Sequence, residues 1–205
     1  MMDEEWANLL EDRYDFLAPR NSRDCVAFDC PTDYLLELCK SLRDKEGCDL
    51  LMDVTAVDWG ENATPRFSTL YHFFSLARKT YLRIACDCQD DLQPSMPSVS
   101  KLYPAADWHE REVFDMFGIH FIGHPNLKRI LMWDDYPHFP LRKDFPLAGI
   151  ETEFPAADVA EDTGVSVQAA PMMGGPFVAP AEGHVSKSEP RGKDQSWTEE
   201  CDKPR

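Results

Sequence analysis

The sequence predicts an α+β fold: a mainly antiparallel sheet packs on helices in a two-layer domain, and an extended irregular C-terminal segment follows. A helical stripe of Leu35, Leu38, Cys39 and Leu42 precedes three strand-like segments within residues 50–88. Consecutive strands joined by short turns indicate an antiparallel sheet, which buries one face against helices. Further along the chain, apolar residues follow neither the helical spacing nor the alternation of a strand, and Gly and Pro occur repeatedly.

Helical spacing occurs twice in the first fifty residues. Apolar residues recur every three or four positions in residues 4–17, which predicts a short amphipathic helix. Residues 25–30 then have the composition of a short strand. The stripe that follows predicts a second helix, with Thr32 as its cap and Gly47 at its end.

Three strands are predicted after the second helix, in residues 50–59, 66–76 and 81–88. The first and third alternate between apolar and polar side chains, which is typical of strands with one buried face. The second is apolar or aromatic on both sides, as a central strand is. Together they predict a three-stranded antiparallel meander. The inward-facing residues of the alternating strands are Met52, Val54, Ala56, Leu82, Ile84 and Cys86.

A charged helix is predicted to close the domain, which spans residues 1–118. Asp107 precedes Glu110 by three residues, the spacing of a capping box, and Gly118 is placed to end the helix. Residues 89–106 are interrupted by prolines and are predicted to contain at most a short helix around residues 98–103. At 100° per residue, Glu110 lies on the apolar face of the charged helix, which is also the face of Val113. Arg111, Glu112 and Asp115 lie on the other side.

Glu110 therefore needs a partner, because an unpaired buried carboxylate costs several kcal/mol. One interpretation is that it binds the local backbone at the start of its helix. The other is that it pairs with a cation, supplied by Arg142, by Lys143 or by a partner protein.

Residues 119–150 are predicted to form an extended docking segment. Gly123 and Pro125 are among several residues that break any regular structure, yet the segment is rich in aromatic and aliphatic side chains. Exposed together, these would make a larger apolar patch than a monomer usually tolerates, which favours a protein interface. The alternative is a loop packed on its own sheet. Residues 151–205 form a Pro-rich acidic tail, expected to be disordered or wrapped on a partner.

Composition excludes several functions. A formal charge of −16 repels nucleic acid and anionic lipid, and no apolar run is long enough to span a bilayer. The seven cysteines form no CxxC pair, which disfavours structural zinc and iron–sulfur sites, and no nucleotide-binding motif occurs. The acidic N-terminus predicts a chain that stays in the compartment where it is made. A pool of His and carboxylate residues keeps a metal site as an alternative: His109, His120, His124, His138, Asp134 and Asp135, with the three acidic positions of the charged helix.

The charged helix and docking segment closely resemble the signature of the 30-kilodalton subunit of respiratory complex I. That signature combines ERE, an acid with two apolar positions, a G-I-x-F-x-G-H-P-x-L-x-R-I-L stretch, an acidic pair and P-L-R-K-D-F-P. The matching residues are 110–112, 115–117, 118–131, 134–135 and 140–146. The resemblance extends loosely back to about residue 25.

The resemblance implies an accessory, non-catalytic subunit of the proton-translocating NADH:quinone oxidoreductase. Such a subunit docks on the 49-kilodalton subunit of the quinone site, beside iron–sulfur subunits, on the cytoplasmic side of the bacterial inner membrane. It binds no cofactor itself; FMN, iron–sulfur clusters and quinone belong to the whole complex. The candidate interface residues are Glu110, Arg111, Glu112, Asp115, Phe121, His124, Arg129, Trp133, Arg142 and Lys143.

Two other functions remain open. The first is the equivalent subunit of a related ferredoxin- or formate-linked complex, or of a membrane-bound hydrogenase. The second is an independent metalloenzyme that uses His and carboxylate ligands.

Overall fold

The computed structural model describes residues 2–146, and the predicted tail at residues 151–205 lies outside that range. Within it, the helices are α1 (Met2–Arg13), α2 (Leu35–Asp44) and α3 (Ala106–Phe117), with a 3-10 turn at Thr32–Tyr34 ahead of α2. The strands are β1 (Ala18–Pro19), β2 (Val26–Asp29), β3 (Leu50–Asp58), β4 (Phe67–Ser75), β5 (Thr80–Asp87), β6 (Ser95–Pro97) and β7 (His120–Ile122).

The main sheet has five strands in the order β1-β2-β5-β4-β3. The meander β3-β4-β5 is antiparallel, as predicted, while β2 adds to β5 in parallel. A separate two-stranded parallel sheet, β6-β7, is not predicted by the sequence pattern. The predicted α+β class, with a mainly antiparallel sheet and helices, is confirmed.

One face of the sheet carries the hydrophobic core. Leu82, Ile84 and Cys86 of β5 are fully buried, as predicted, beside Tyr71 and Phe73 of β4. Full burial of each large aliphatic or aromatic side chain contributes about 1.5–3 kcal/mol, so this layer holds the domain together. The helical residues that belong to the same core cluster are Leu35, Leu38, Cys39 and Leu42 of α2, and Val113, Met116 and Phe117 of α3.

The predicted inward direction of Met52 is wrong. A register shift between Leu51 and Asp53 inserts an extra residue into β3, and Met52 is 45% exposed while Leu51 is buried. A β-bulge changes which side chains point inward because the side-chain period of a strand is two. Val54 and Ala56, beyond the shift, face the core as predicted.

Two predicted helix caps are also wrong. The Thr32 hydroxyl donates to the main-chain carbonyl of Asp87 (2.7 Å) instead of capping α2. Ala105 occupies the cap position of α3, which places Asp107 inside the first turn, and the capping box does not form. The short helix expected at residues 98–103 is a turn. In each case a tertiary contact or a loop conformation replaces the local pattern.

The end of α3 is at Gly118, as predicted, in the left-handed conformation (φ 72°). The chain then forms β7 and continues as residues 123–144, which we call the strap. A Cβ atom at position 118 would lie 2.6 Å from Nη2 of Arg142 and 2.7 Å from the ring of Phe139. Glycine is therefore required here both by the backbone and by the strap that crosses it.

The Gly118→Ala substitution is predicted to destabilise the fold by about 2–4 kcal/mol, because it adds a steric clash to the cost of about 1–2 kcal/mol for a left-handed alanine. Chemical denaturation measures this difference in the free energy of unfolding. Gly123→Ala is the matched control, since Gly123 also has a positive φ (85°) but no heavy atom within 4 Å of the added Cβ. Equal losses in the two variants would contradict close packing of the strap on Gly118.

Candidate docking surface

Asp115 of α3 holds the strap in place. Its carboxylate oxygen Oδ2 accepts hydrogen bonds from three consecutive backbone N–H groups, those of Ile130 (2.9 Å), Leu131 (2.6 Å) and Met132 (2.9 Å). Burial raises the pKa of Asp115, but these N–H groups and the Arg129 guanidinium outweigh that effect and bring the pKa below its ordinary value. The buried carboxylate therefore remains charged and bound.

Arg129 completes this contact from within the strap. Nη1 of its guanidinium donates to Asp115 Oδ1 (2.6 Å), and Nη2 donates to the main-chain carbonyls of Tyr136 (2.6 Å) and His138 (3.2 Å). The rings of Tyr136 and Phe139 lie 5.7 Å and 5.1 Å from the guanidinium carbon. The planar guanidinium of Arg129 thus connects the carbonyls of Tyr136 and His138, later in the strap, to Asp115 of α3.

A second attachment lies near the end of the strap, on α3. Arg142 Nε donates to the main-chain carbonyl of Phe117 (2.6 Å), the last residue of the helix. The guanidinium carbon of Arg142 lies 4.5 Å from the ring centre of Phe139 and 5.1 Å from that of Phe67. A cation at a helix C-terminus also interacts favourably with the helix dipole.

A third attachment fixes the strap to the main sheet. Asp58, the last residue of β3, is buried and accepts hydrogen bonds from the backbone N–H of Lys143 (2.8 Å) and from Nε and Nη2 of Arg66 (3.0 and 2.8 Å). Burial raises the pKa of Asp58, but its hydrogen bonds outweigh burial and lower the pKa to about 2. The strap is therefore bound at residues 129–132 and again at residues 142–143.

Glu110 is fully buried, and the partners predicted for it within this chain are wrong. Its Oε1 accepts from the backbone N–H of Val99 (2.7 Å), and its Oε2 accepts from the hydroxyl of Ser98 (2.6 Å). These residues follow β6 and are distant in sequence, so Glu110 binds neither its own helix nor a cation from Arg142 or Lys143. Burial, with a smaller contribution from Asp107, raises the pKa of Glu110 to about 7 even though both hydrogen bonds lower it.

His124 has a completely buried side chain beside Glu110. Its Nδ1 accepts the backbone N–H of Asn126 (3.0 Å), so the ring proton is on Nε2, which donates to the main-chain carbonyl of Asp107 (3.1 Å). Nε2 lies 3.9 Å from Glu110 Oε2, beyond hydrogen-bonding distance. His124 therefore joins the start of the strap to the start of α3.

The ten predicted interface residues thus divide by exposure. Several are committed to contacts within the chain, and others remain open to solvent. Phe121 belongs to the hydrophobic core, and Trp133 packs against Tyr136 with ring centres 4.6 Å apart. The residues with buried side chains are Glu110, Asp115, Phe121, His124 and Arg129; Arg111, Trp133 and Arg142 are partly buried; Glu112 and Lys143 are exposed.

The apolar patch expected in the docking segment is only partly exposed. Tyr136 is buried, and Leu127 and Met132 pack against the core. Large apolar side chains nevertheless remain at the surface on this part of the molecule. They are Trp108 (60% exposed), Ile122 (60%), Leu131 (59%) and Leu141 (53%).

Several residues on which this arrangement depends are not marked by the sequence pattern. Ser98 and Val99 bind Glu110, and Asp58 and Arg66 bind near the end of the strap. Nothing local marks these residues, because each acts on a partner far away in sequence. For Asp58 a usable signal does exist, since it is in phase with the inward-facing Val54 and Ala56, and a charged residue on the buried face of a strand needs a partner.

Residues 2–146 contain no cluster of three or more His, Cys, Asp or Glu side chains arranged to hold a metal ion. Cys30, Cys39, Cys48, Cys86 and Cys88 are buried free thiols, and burial raises the pKa of Cys48 and of Cys88 to about 12. Within the same residues, every helix is too short or too polar to cross a bilayer.

Substituting Glu110 with Gln is predicted to change how stability depends on pH. A carboxyl group whose pKa is raised on folding stabilises the folded state below its unfolded pKa of 4.5, and that stabilisation is lost as the pH rises through about 7. The wild type should therefore lose on the order of 2–3 kcal/mol relative to Glu110→Gln between about pH 4.5 and about pH 8.

Denaturant unfolding across this pH range measures the difference between the two proteins. Other titratable groups near Glu110, namely Asp107, His124, Cys39 and Tyr71, are present in both and serve as an internal control. Parallel stability curves for the two proteins would show that burial does not perturb Glu110.

Replacing Arg129 with Lys is predicted to loosen the strap. A lysine cannot reach Asp115 and the two carbonyls of Tyr136 and His138 together, so their hydrogen bonds are lost. Chymotrypsin should then cleave after Trp133 about tenfold faster than in the wild type, as expected for a local loss of about 1.4 kcal/mol; the bonds after Tyr136 and Phe139 precede prolines and are resistant. Arg23→Lys, at an exposed arginine, is the matched control. An unchanged cleavage rate in Arg129→Lys would contradict this role.

Comparison with known proteins identifies relatives of this chain. Residues 28–151, more than half of the chain, match the family model of the respiratory-chain NADH dehydrogenase 30-kDa subunit. An NADH-quinone oxidoreductase subunit of Citrifermentans bemidjiense is 41% identical over 153 residues, covering 74% of this chain and 89% of that protein.

Other relatives carry the same description over a smaller share of their length. The NADH-quinone oxidoreductase subunit of Saccharopolyspora erythraea is 43% identical over 138 residues, which cover 65% of this chain and 54% of that protein. For the one from Rhizobium meliloti, identity is 44% over 125 residues, covering 60% of this chain and 67% of that protein. The chain therefore spans between about half and two thirds of the length of these two relatives.

Solved structures share the fold. A trypsin-resistant fragment of Nqo5 has a TM-score of 0.53 and 26% identity, and the match covers 62% of this chain and all of the fragment. A chain of an archaeal membrane-bound sulfane sulfur reductase has a TM-score of 0.61 over 81% of this chain and 94% of its own length; at 24% identity it shows the fold alone. The chain belongs to the family of the respiratory-chain NADH dehydrogenase 30-kDa subunit.

Proposed function

We propose that this chain is an accessory, non-catalytic subunit of a proton-translocating NADH:quinone oxidoreductase. In this proposal it docks on the 49-kilodalton subunit and on neighbouring iron–sulfur subunits, and it thereby supports electron transfer from NADH to quinone. The assembly lies on the cytoplasmic side of the bacterial inner membrane, and this chain is attached to the membrane only through its partners.

The observation that carries this proposal is the attachment of the strap. Three buried acceptors, Asp115, Asp58 and the carbonyl of Phe117, hold residues 129–143 against the folded domain. Leu131 and Leu141 nevertheless remain more than half exposed on this fixed segment. Apolar side chains on a rigid support lose little conformational entropy when they enter an interface, which favours docking.

The chemistry of the described residues supports an accessory role. The buried carboxylates of Glu110, Asp115 and Asp58 are bound by donors of this same chain, which occupies the groups a reaction would need. We propose that FMN, iron–sulfur clusters and quinone are bound by other subunits, and that this chain binds none of them.

The two alternative functions have less support. The relatives with 41–44% identity are NADH-quinone oxidoreductase subunits, which favours NADH as the electron donor over ferredoxin or formate. An independent metalloenzyme would need ligands, but His124 is engaged by Asn126 and Asp107. Metal analysis of the purified, chelator-washed chain tests that alternative: a stoichiometric metal ion would support it.

The Leu141→Glu substitution is predicted to weaken binding to the 49-kilodalton subunit by about tenfold, because it introduces a charge into an apolar contact. The measurement is co-purification of the tagged chain with the 49-kilodalton subunit after co-expression, with the bound fraction determined by mass spectrometry. The hydrogen bond between the backbone N–H of Leu141 and the carbonyl of Met116 does not involve the side chain, so the strap should remain attached.

Leu92→Glu is the matched control, since Leu92 is 90% exposed and lies before β6, outside the strap. It should co-purify as the wild type does. Failure of the wild-type chain to retain the 49-kilodalton subunit would contradict the proposed function. Equal retention of wild type and Leu141→Glu would exclude this part of the strap from the interface.

A further inference from the structure

Trp108 is the largest exposed apolar side chain of α3, and the protein holds it in a fixed position. Its indole is 60% exposed, and the guanidinium carbon of Arg111 lies 5.1 Å from the ring centre. Arg111 is itself bound to the strap: Nε donates to the carbonyl of Lys128 (3.1 Å) and Nη2 to that of Arg129 (3.2 Å). An exposed indole is thus supported by a cation that has little freedom to move.

Trp108 belongs to a continuous surface along α3. Trp108, Arg111 and Asp115 are spaced i, i+3 and i+7 and lie on one stripe of the helix. The backbone N–H of Leu131 is bound to Asp115, so Leu131, which is 59% exposed, lies at the opposite end of this stripe. Seven helical residues span about 10 Å. The backbone of Leu131 is therefore attached at Asp115, about 10 Å along the helix from Trp108, and Arg111 lies between Trp108 and Asp115 in the sequence of the stripe.

The charge of this surface differs from that of the chain as a whole. The chain carries a net charge of −16, but the carboxylate of Asp115 is buried and paired with Arg129. Arg111 and the exposed Lys128 lie at the border with the strap, and Glu112 lies on the other side of Trp108. A partner with an acidic group opposite Arg111 and Lys128 complements this arrangement.

We propose that Trp108, Arg111 and Leu131 form the anchor by which this chain binds the 49-kilodalton subunit of its complex. The partner supplies an apolar socket for the indole and a carboxylate that faces Arg111 and Lys128. Interface energy concentrates in Trp and Arg residues that are already ordered before binding, which is the state of this group. This inference rests on the proposed function, and it assigns the main share of the affinity to a residue on the helix rather than to the strap alone.

A second exposed tryptophan provides a comparison within the same chain. Trp59 is 52% exposed, yet its Nε1 donates to the hydroxyl of Ser68 (2.8 Å) in β4. Trp59 follows β3 and belongs neither to α3 nor to the strap. It is matched to Trp108 in residue type and exposure but differs in location.

The test uses the whole complex, purified in mild detergent from cells in which the variant is the sole copy of this chain. Quantitative mass spectrometry gives the amount of this chain relative to the 49-kilodalton subunit. Trp108→Ala is expected to reduce retention by about tenfold or more, in the range of an interface anchor, while Trp59→Ala stays within about twofold of the wild type. Thermal unfolding of each isolated variant establishes that the fold is intact.

Charge complementarity is tested separately with Lys128→Glu, whose exposed side chain is not needed for the hydrogen bond that its carbonyl accepts. This variant is expected to lose retention by about tenfold, whereas Lys101→Glu, at another exposed lysine, is not. Wild-type retention of a folded Trp108→Ala, or equal losses in Trp108→Ala and Trp59→Ala, would overturn the anchor. Absence of the wild-type chain from the complex would instead overturn the proposed function on which the anchor rests.

Discussion

The carboxylate of Asp115 is the interaction on which the strap depends. It accepts three consecutive backbone N–H groups and a guanidinium, so it fixes the direction of the chain at Ile130, Leu131 and Met132. Without this acceptor, each of these donors that is shielded from water would be left unsatisfied, at a cost of about 1–3 kcal/mol. A segment with no regular secondary structure thereby becomes a defined part of the domain.

This constraint connects the fold to its proposed role. An irregular segment usually loses conformational entropy when it binds, but a strap attached to α3 and to β3 has lost most of that freedom on folding. The same attachment orders Arg111, and Arg111 in turn orders Trp108. Buried polar groups therefore set the arrangement of the exposed apolar ones, which is how a chain in this proposed role can position its neighbours.

The regular part of the fold could be predicted because its signals are local. Alternation identified β3 and β5, apolar and aromatic residues on both sides identified β4, and Gly118 marked the end of α3. The errors arose where distant residues compete with local patterns: the bulge at Met52, and the Glu110 carboxylate that binds Ser98 and Val99 instead of its own helix. Asp115 was expected on a charged outer face because its partner, Arg129, lies fourteen residues along the chain and cannot be read from helical spacing.

Hydrogen exchange of the isolated wild-type chain, resolved to single amides by NMR, tests most directly whether the strap is folded before any partner binds. The amides of Ile130, Leu131, Met132 and Lys143 are predicted to exchange slowly, with protection approaching that of the central strand β4, because buried carboxylates hold them. Rapid exchange at these four amides in a chain whose sheet remains protected would contradict a strap fixed by Asp115 and Asp58.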